Sequence, residues 1–240
     1  MAVPATLLSI PGVQPLDLEV QAVEDLGPRM RRIVLGGAAL RNFSYQPGQD
    51  VMLVLGEQSG RPLSRRYTIR SHDSQAATLE LNIVAHGVDG PGARWAANAT
   101  QGIRIDGVGP RGKIFLDPDA EWHYFFGDES AAPASLVMLE AVPANVAARA
   151  VIEVTNRDDE LPHNAQHEVE WLHRERAQLL QALQRAELPP GQGHIYIAGE
   201  VRVVATLKEA ALARGVPAER ISAKAYWGRG RPNATRGEPD

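Results

Sequence analysis

The chain has 240 residues, 44% of them apolar and 22% charged, with a net charge of −4 and no cysteine. That balance belongs to an ordinary globular protein and excludes disorder of the whole chain, a disulfide scaffold and the basic footprint of a non-specific nucleic-acid binder. The absent thiol also excludes thiolate-held iron–sulfur clusters, Cys-type zinc sites, cysteine nucleophiles and dithiol flavin chemistry.

Up to about residue 117 the sequence reads as short strands separated by Gly/Pro turns. In chain order they are Leu16–Glu24, Met30–Gly36, Asp50–Leu55, Ser64–Arg70, Thr78–Ala85 and Gly102–Val108, with one helical stretch near Ala93–Ala99. Six short strands predict a small antiparallel barrel. From residue 118 apolar strands (Trp122–Phe126, Ala150–Val154, His194–Ala198, Ile221–Tyr226) alternate with helices at Ala131–Ala141, Glu175–Ala186 and Val201–Arg214. That alternation predicts a doubly wound, mostly parallel α/β sheet. The expected domains are therefore 1–117 and 118–240, with a loose tail from Gly228.

Charge follows the same division. Residues 1–117 carry 12 Lys and Arg against 11 Asp and Glu, and residues 118–240 carry 13 against 18. Arg61, Arg65, Arg66 and Arg70 crowd into one decade of the first half. No apolar run approaches the roughly 20 residues of a membrane helix. The N-terminal segment lacks a basic start and is broken by Pro4, Pro11 and Pro15. It does not read as a signal peptide, so the expected address is cytoplasmic, with no membrane and no nucleic acid among the partners.

Two patterns are decoys. Gly107–Gly112 matches G-x-G-x-x-G literally, but a dinucleotide fingerprint must open a helix directly after a strand, and a barrel turn is the better account. His163, His167 and His173 have a spacing that could suit zinc, yet the acidic Asp158-Asp159-Glu160 before them reads as solvated loop.

The informative stretch is Arg65-Arg66-Tyr67-Thr68-Ile69-Arg70. It reads either as a barrel strand with solvated arginines or as a flavin cradle. In the second reading Arg65 pairs with a pyrophosphate, Tyr67 stacks on the isoalloxazine ring and Thr68 meets its N5 edge. Farther on, Gly90, Pro91, Gly92, Ala93 and Trp95 follow His86. The small residues let backbone N–H groups approach a phosphate at a helix N-terminus; a tight turn with Trp95 in the core is the alternative.

In the second half, Gly127-Asp128-Glu129-Ser130 and Ala198-Gly199-Glu200 each end a strand and precede a helix, where an α/β sheet binds nucleotides. Ser130 or Asp128 is the expected helix N-cap. Tyr226-Trp227 ends the last strand, flanked by Lys224 and Arg229.

The order RRYTIR, HGVDGPGARWA, GPRG, GDESAAPAS, IAGE and YWGRG resembles the siderophore-interacting protein family, a ViuB-like branch of the ferredoxin-reductase-type flavoproteins, from about Val20 to Arg231. The resemblance implies an FAD-binding barrel, an NAD(P)H-binding domain with NADH or NADPH as donor, and reduction of a ferric siderophore. It implies flavin contacts at Arg65, Tyr67, Thr68, Ile69, His86 and Gly90–Trp95. Nucleotide contacts would lie at Gly127–Ser130, Ala198–Glu200 and Tyr226-Trp227. Four positions depart from the family's usual residues: Ser130 for Thr, Ala132 for a bulky side chain, Ala225 for Gly and Gly228 for Arg. The anionic substrate is expected near Lys224 and Arg229, with Arg61 and Arg66 either contributing or merely solvated. Alternatives are a general NAD(P)H:flavin or ferredoxin-linked reductase, with ferredoxin as partner, and a non-catalytic siderophore-binding module. The module would purify colourless.

Overall fold

Period-two burial builds the first unit. Its strands are β1 (Gln14–Asp25), β2 (Met30–Gly36), β3 (Asp50–Gln58), β4 (Arg61–Thr68), β5 (Ser71–Asp73), β6 (Thr78–Val84) and β7 (Arg104–Arg111). Leu16, Leu18, Val20, Ile33, Leu35, Leu79 and Leu81 are each at most 2% exposed. Their spacing of two puts every one of them on the inner face of its strand. The computed structural model describes residues 10–58, 61–85, 90–174, 178–228 and 231–232, and the chain divides into the units Met1–Lys113 and Ile114–Asp240.

All neighbours in the seven-stranded sheet, ordered β4-β3-β7-β1-β2-β6-β5, are antiparallel. Its ends curl together where the Arg70 N–H, just past β4, donates to the Glu80 carbonyl of β6 at 2.9 Å. Helix α1 (Pro91–Asn98) follows β6. Pro91 presets the first helical φ, and Arg31 of β2 donates to the Ala96 and Ala97 carbonyls at 2.6 and 2.9 Å. A cation thus satisfies the helix C-terminus and anchors it to the barrel.

One expectation changes here. Gly107–Arg111, read as a turn, is strand β7. A Cβ at Gly107 would meet the Met52 carbonyl at 3.0 Å, and one at Gly109 would meet Val51 Cγ1 at 2.8 Å. The glycines let β3 approach β7 closely, which a turn assignment does not capture.

The second unit is a parallel sheet of β8 (Trp122–Asp128), β9 (Ala147–Val154), β10 (Glu168–His173), β11 (Gly193–Glu200) and β12 (Ile221–Gly228). Its order is β10-β9-β8-β11-β12-β13, with β13 (Arg231–Pro232) antiparallel at one edge. The tail read as loose therefore supplies a short strand, and its other residues beyond Gly228 lie outside the described ones. Helices α3 (Gln178–Arg185) and α4 (Val201–Ala213) pack on the face carrying Trp122, Phe126, Ile195 and Ile197. Helix α2 (Ala132–Ala141) lies over β8 and β9. Glu175–Ala177, expected to start α3, lie outside the described residues.

The stretch read as a solvated histidine loop contains β10. Its first four residues alternate, with Val169 and Trp171 on one face and Glu168 and Glu170 on the other, and both carboxylates pair with Arg149 of β9, at 3.2 and 2.5 Å. Cross-strand charge recruits this edge strand. His167 contacts the Val142 carbonyl at 3.1 Å, and His173 contacts the Glu160 carboxylate at 2.8 Å.

A buried polar chain ties the segment before β8 to this sheet. Asp117 accepts from Arg220 at 2.7 Å and contacts His194 Nδ1 at 3.1 Å, while His194 Nε2 meets Ser222 Oγ at 2.9 Å. The Asp117 N–H donates to the Tyr196 hydroxyl at 2.8 Å. Beneath it His123, 4% exposed, lies 3.3 Å from the same hydroxyl. Burial lowers the His194 pKa and takes that of His123 from 6.5 to about 4.

Candidate functional site

In the first unit β4 presents two faces. Arg66 points to one of them and holds the buried Asp50 carboxylate bidentately, at 2.8 and 2.6 Å. It is therefore a structural cation rather than a solvated one. Arg65 and Tyr67 point the other way, towards α1. A Cβ built on Gly92 in the first turn of that helix would lie 2.6 Å from the Tyr67 hydroxyl and 3.5 Å from Arg65 Cγ. Only a residue without a side chain permits this convergence.

Among the described residues the buried Tyr67 hydroxyl has no hydrogen-bond partner, and its ring stacks on Trp95 with centroids 6.2 Å apart. Among the described residues no carboxylate pairs with Arg65, whose guanidinium donates to the neighbouring Ser64 carbonyl at 2.7 Å. Burial pushes the Tyr67 pKa well above its ordinary value and lowers that of Arg65. The phenol therefore keeps its proton and stays a donor. An unpartnered O–H, an uncompensated guanidinium and the bare N-terminus of α1, where Gly90 provides no side-chain cap, converge on one place. This set fits a phosphate group.

Thr68 pairs in register with Asp50. Ile69 is fully buried in the barrel core, its N–H donating to Gln49 O at 3.0 Å. Pro91 and Ala93 complete the first turn of α1. His86 and the Arg61 side chain lie outside the described residues.

In the second unit the carboxyl ends of β8, β11 and β12 meet at Asp128. Its Oδ1 accepts from the Ser130 N–H at 2.9 Å and the Ser130 hydroxyl at 2.5 Å. Its Oδ2 accepts from the Glu200 N–H and from Trp227 Nε1, each at 2.9 Å. Desolvation still holds the Asp128 pKa above the ordinary carboxylate range, against these four bonds. Gly199, at φ +134°, makes room for the carboxylate, since a Cβ there would lie 2.6 Å from Oδ2. Glu200 is the N-cap of α4, accepting from the Arg202 and Val203 N–H groups at 2.7 and 3.2 Å.

The expected N-cap of α2 is corrected. Ala131 occupies that position, because its N–H closes an i to i+3 turn on the Asp128 carbonyl at 2.9 Å. Asp128 and Ser130 serve that turn instead of the helix. Lys224 and Tyr226 share one face of β12, with the ammonium 5.6 Å from the ring. Arg229 lies outside the described residues.

Gly127 has a packing role that the sequence does not reveal. Its Cβ would meet Ala131 Cβ at 2.6 Å and the Ala198 carbonyl at 2.7 Å. Gly127→Ala is therefore expected to cost at least about 1 kcal/mol of stability by forcing β8 from β11. Chemical denaturation checks this, and an unchanged midpoint would count against so tight a packing.

An antiparallel barrel followed in the chain by a parallel sheet is a fold shared with the ferredoxin reductase of carbazole 1,9a-dioxygenase, which superposes with a TM-score of 0.68 at 19% identity over 89% of this chain and 67% of that one. Residues 120–230 match the siderophore-interacting protein family and residues 54–114 match the siderophore-interacting FAD-binding domain. An uncharacterized protein of Mycobacterium tuberculosis is 34% identical over 89% of this chain and 90% of its own length. The ferric vibriobactin reductase ViuB of Vibrio cholerae is 33% identical over 71% of this chain and 66% of that protein. The NADPH-dependent ferric-chelate reductase of Escherichia coli is 28% identical, covering 88% and 92%. Among solved structures, a siderophore utilization protein from T. fusca superposes with a TM-score of 0.82 at 29% identity, over 92% of this chain and 95% of that one. The chain belongs to the siderophore-interacting protein family.

Proposed function

We propose that this protein is an FAD-dependent reductase that takes a hydride from NADH or NADPH and passes electrons singly to Fe(III) in a siderophore, releasing Fe(II). The observation that carries this reading is the Tyr67 hydroxyl against Gly92, beside Arg65, the first without a hydrogen-bond partner and the second without a carboxylate among the described residues, inside the segment that matches the FAD-binding domain. FAD, when bound, supplies the conversion of a two-electron donor into one-electron steps. Arg65, the Tyr67 hydroxyl and the first turn of α1 would hold its pyrophosphate. Trp227 and the strand ends gathered around Asp128 take the dinucleotide. Reduced iron binds hard oxygen donors less tightly than Fe(III), so reduction is release.

No helix among the described residues is long and apolar enough to cross a membrane. We place the reaction in the cytoplasm, where NADH and NADPH are supplied. The test is anaerobic addition of each dinucleotide to the purified protein, followed by a panel of ferric chelates. Flavin bleaching and then formation of Fe(II) are expected. A colourless protein that cannot be reconstituted with FAD would leave only a binding module. Reduction that requires added ferredoxin would move the donor from dinucleotide to protein.

Lys224 is the basic residue we assign to the substrate. Many ferric siderophore complexes are anionic and the chain carries −4 overall, so local positive charge is needed to concentrate them. Lys224→Ala is expected to raise KM for an anionic ferric siderophore and flatten its salt dependence, with flavin reduction little changed. An unchanged KM and salt slope would remove Lys224 from the substrate site.

A further inference from the structure

The indole of Trp227 combines two properties that rarely coincide on a surface. It is 38% exposed, one of the few large apolar side chains so placed among the described residues. Yet its only polar atom is fixed, Nε1 donating to Asp128 Oδ2 at 2.9 Å. An exposed tryptophan normally samples several rotamers, and a ligand that stacks on it must order it first at an entropic cost. Here that ordering is done in advance by a carboxylate that is itself immobile. Asp128 is pinned through Oδ1 by Ser130 and through Oδ2 by the Glu200 N–H, and the bare Cα of Gly199 leaves space for it.

The place is also informative. β8 and β11 are neighbours whose chain connections leave in opposite directions across the sheet, β8 continuing to β9 and β11 to β12. This is the switch point of an open parallel sheet, outside whose carboxyl ends nucleotides bind. The indole face stands at that point.

We propose that Asp128 is a positioning residue that locks Trp227 as a preformed stacking platform for a planar heteroaromatic ring of the dinucleotide donor. The proposal rests on the reductase reading and adds to it a division of labour. Trp227 touches the ligand; Asp128, with both oxygens occupied by protein donors, acts only through the indole. The sequence reading had placed Asp128 among the direct contacts. A carboxylate satisfied four times over has little capacity left for a ligand donor, and its charge would oppose a phosphate.

The experiment uses the flavin-loaded protein and two readouts: steady-state KM and kcat for NADH and NADPH, and quenching of indole fluorescence by NAD+ and NADP+, which bind the oxidised protein without transferring a hydride. Trp227→Ala is expected to raise KM roughly tenfold with kcat changed less than about twofold, as loss of a stacking contact predicts. Trp227→Phe keeps a ring and removes only the bond to Asp128, so an intermediate rise is expected even if Asp128 variants fail to fold. Asp128→Asn should resemble Trp227→Phe. The Asp128→Asn/Trp227→Ala double variant should have the KM of Trp227→Ala alone, because the carboxylate acts through the indole. In wild type, dinucleotide should quench a component that is missing from the Trp227→Phe spectrum.

Additive KM effects in the double variant would overturn the proposal, since Asp128 would then act by another route. So would an unchanged KM and unchanged quenching in Trp227→Ala while wild type is reduced normally. A wild-type protein that neither binds nor is reduced by either dinucleotide would overturn the reductase reading itself, and the platform with it.

Discussion

Arg65→Ala is expected to weaken FAD binding roughly tenfold to a hundredfold, the value of one charge-assisted hydrogen bond of about 1.5–3 kcal/mol. The effect should sit at the upper end because the guanidinium is half-buried and has no carboxylate among the described residues to share it. A half-buried guanidinium without a countercharge among the described residues is poised for an anion. Arg65→Lys should recover only part of the loss, since an ammonium cannot make the planar, two-pronged contact. Arg66→Ala offers a sharp contrast. It leaves the Asp50 carboxylate, 4% exposed, without its bidentate partner and should lower stability rather than flavin affinity. Titration of apoprotein with FAD, beside a denaturation curve for each variant, separates the outcomes. Equal FAD affinity in Arg65→Ala and wild type would remove Arg65 from the cradle.

Acid should destabilise the second unit through His123. Its pKa falls from 6.5 to about 4 because burial disfavours the imidazolium, with the nearby His194 adding to the effect. The unfolded chain then binds a proton below pH 6.5 that the folded chain refuses until about pH 4. The stabilisation is complete above pH 6.5 and is lost on descending through that window. The full shift corresponds to a loss on the order of 3 kcal/mol from this one group. His123→Phe removes the titration while keeping a flat ring against Tyr196, whose hydroxyl still accepts from Asp117. The variant should therefore lose correspondingly less stability across the window. Some acid sensitivity will remain, because the His194 pKa is lowered as well. Parallel pH profiles for variant and wild type would remove His123 as the source.

Much of this was legible in the sequence, for a reason that particular residues show. Thr78–Val84 alternates and is a strand, and Val201–Ala213 has helical spacing and is a helix, because local pattern and burial agree there. Arg65 and Tyr67, two apart, reach the same cradle for the same reason. What local pattern could not show was contact over distance. The donors to Asp128 Oδ2 come from residues 72 and 99 positions away. The pairing of Glu168 and Glu170 in β10 with Arg149 of the neighbouring strand is also a contact over distance. Likewise Gly127 looked like access for a ligand, and the Ala198 carbonyl beside it makes it a requirement of packing. Ile69 belongs to a functional-looking run yet closes the core.

The two faces of β4 give that strand a phase, with consequences for how the protein can change. Residue 65 and residue 67 face α1, while residue 66 between them locks the sheet through Asp50. Substitutions can therefore alter cofactor grip and barrel stability independently. A single inserted or deleted residue cannot, because it exchanges the faces and sends the structural arginine to the cradle and the cradle arginine to Asp50. Length variation in this part of the chain must be absorbed before the strand begins, so the stretch from Arg65 to Thr68 should drift by substitution and never by indel.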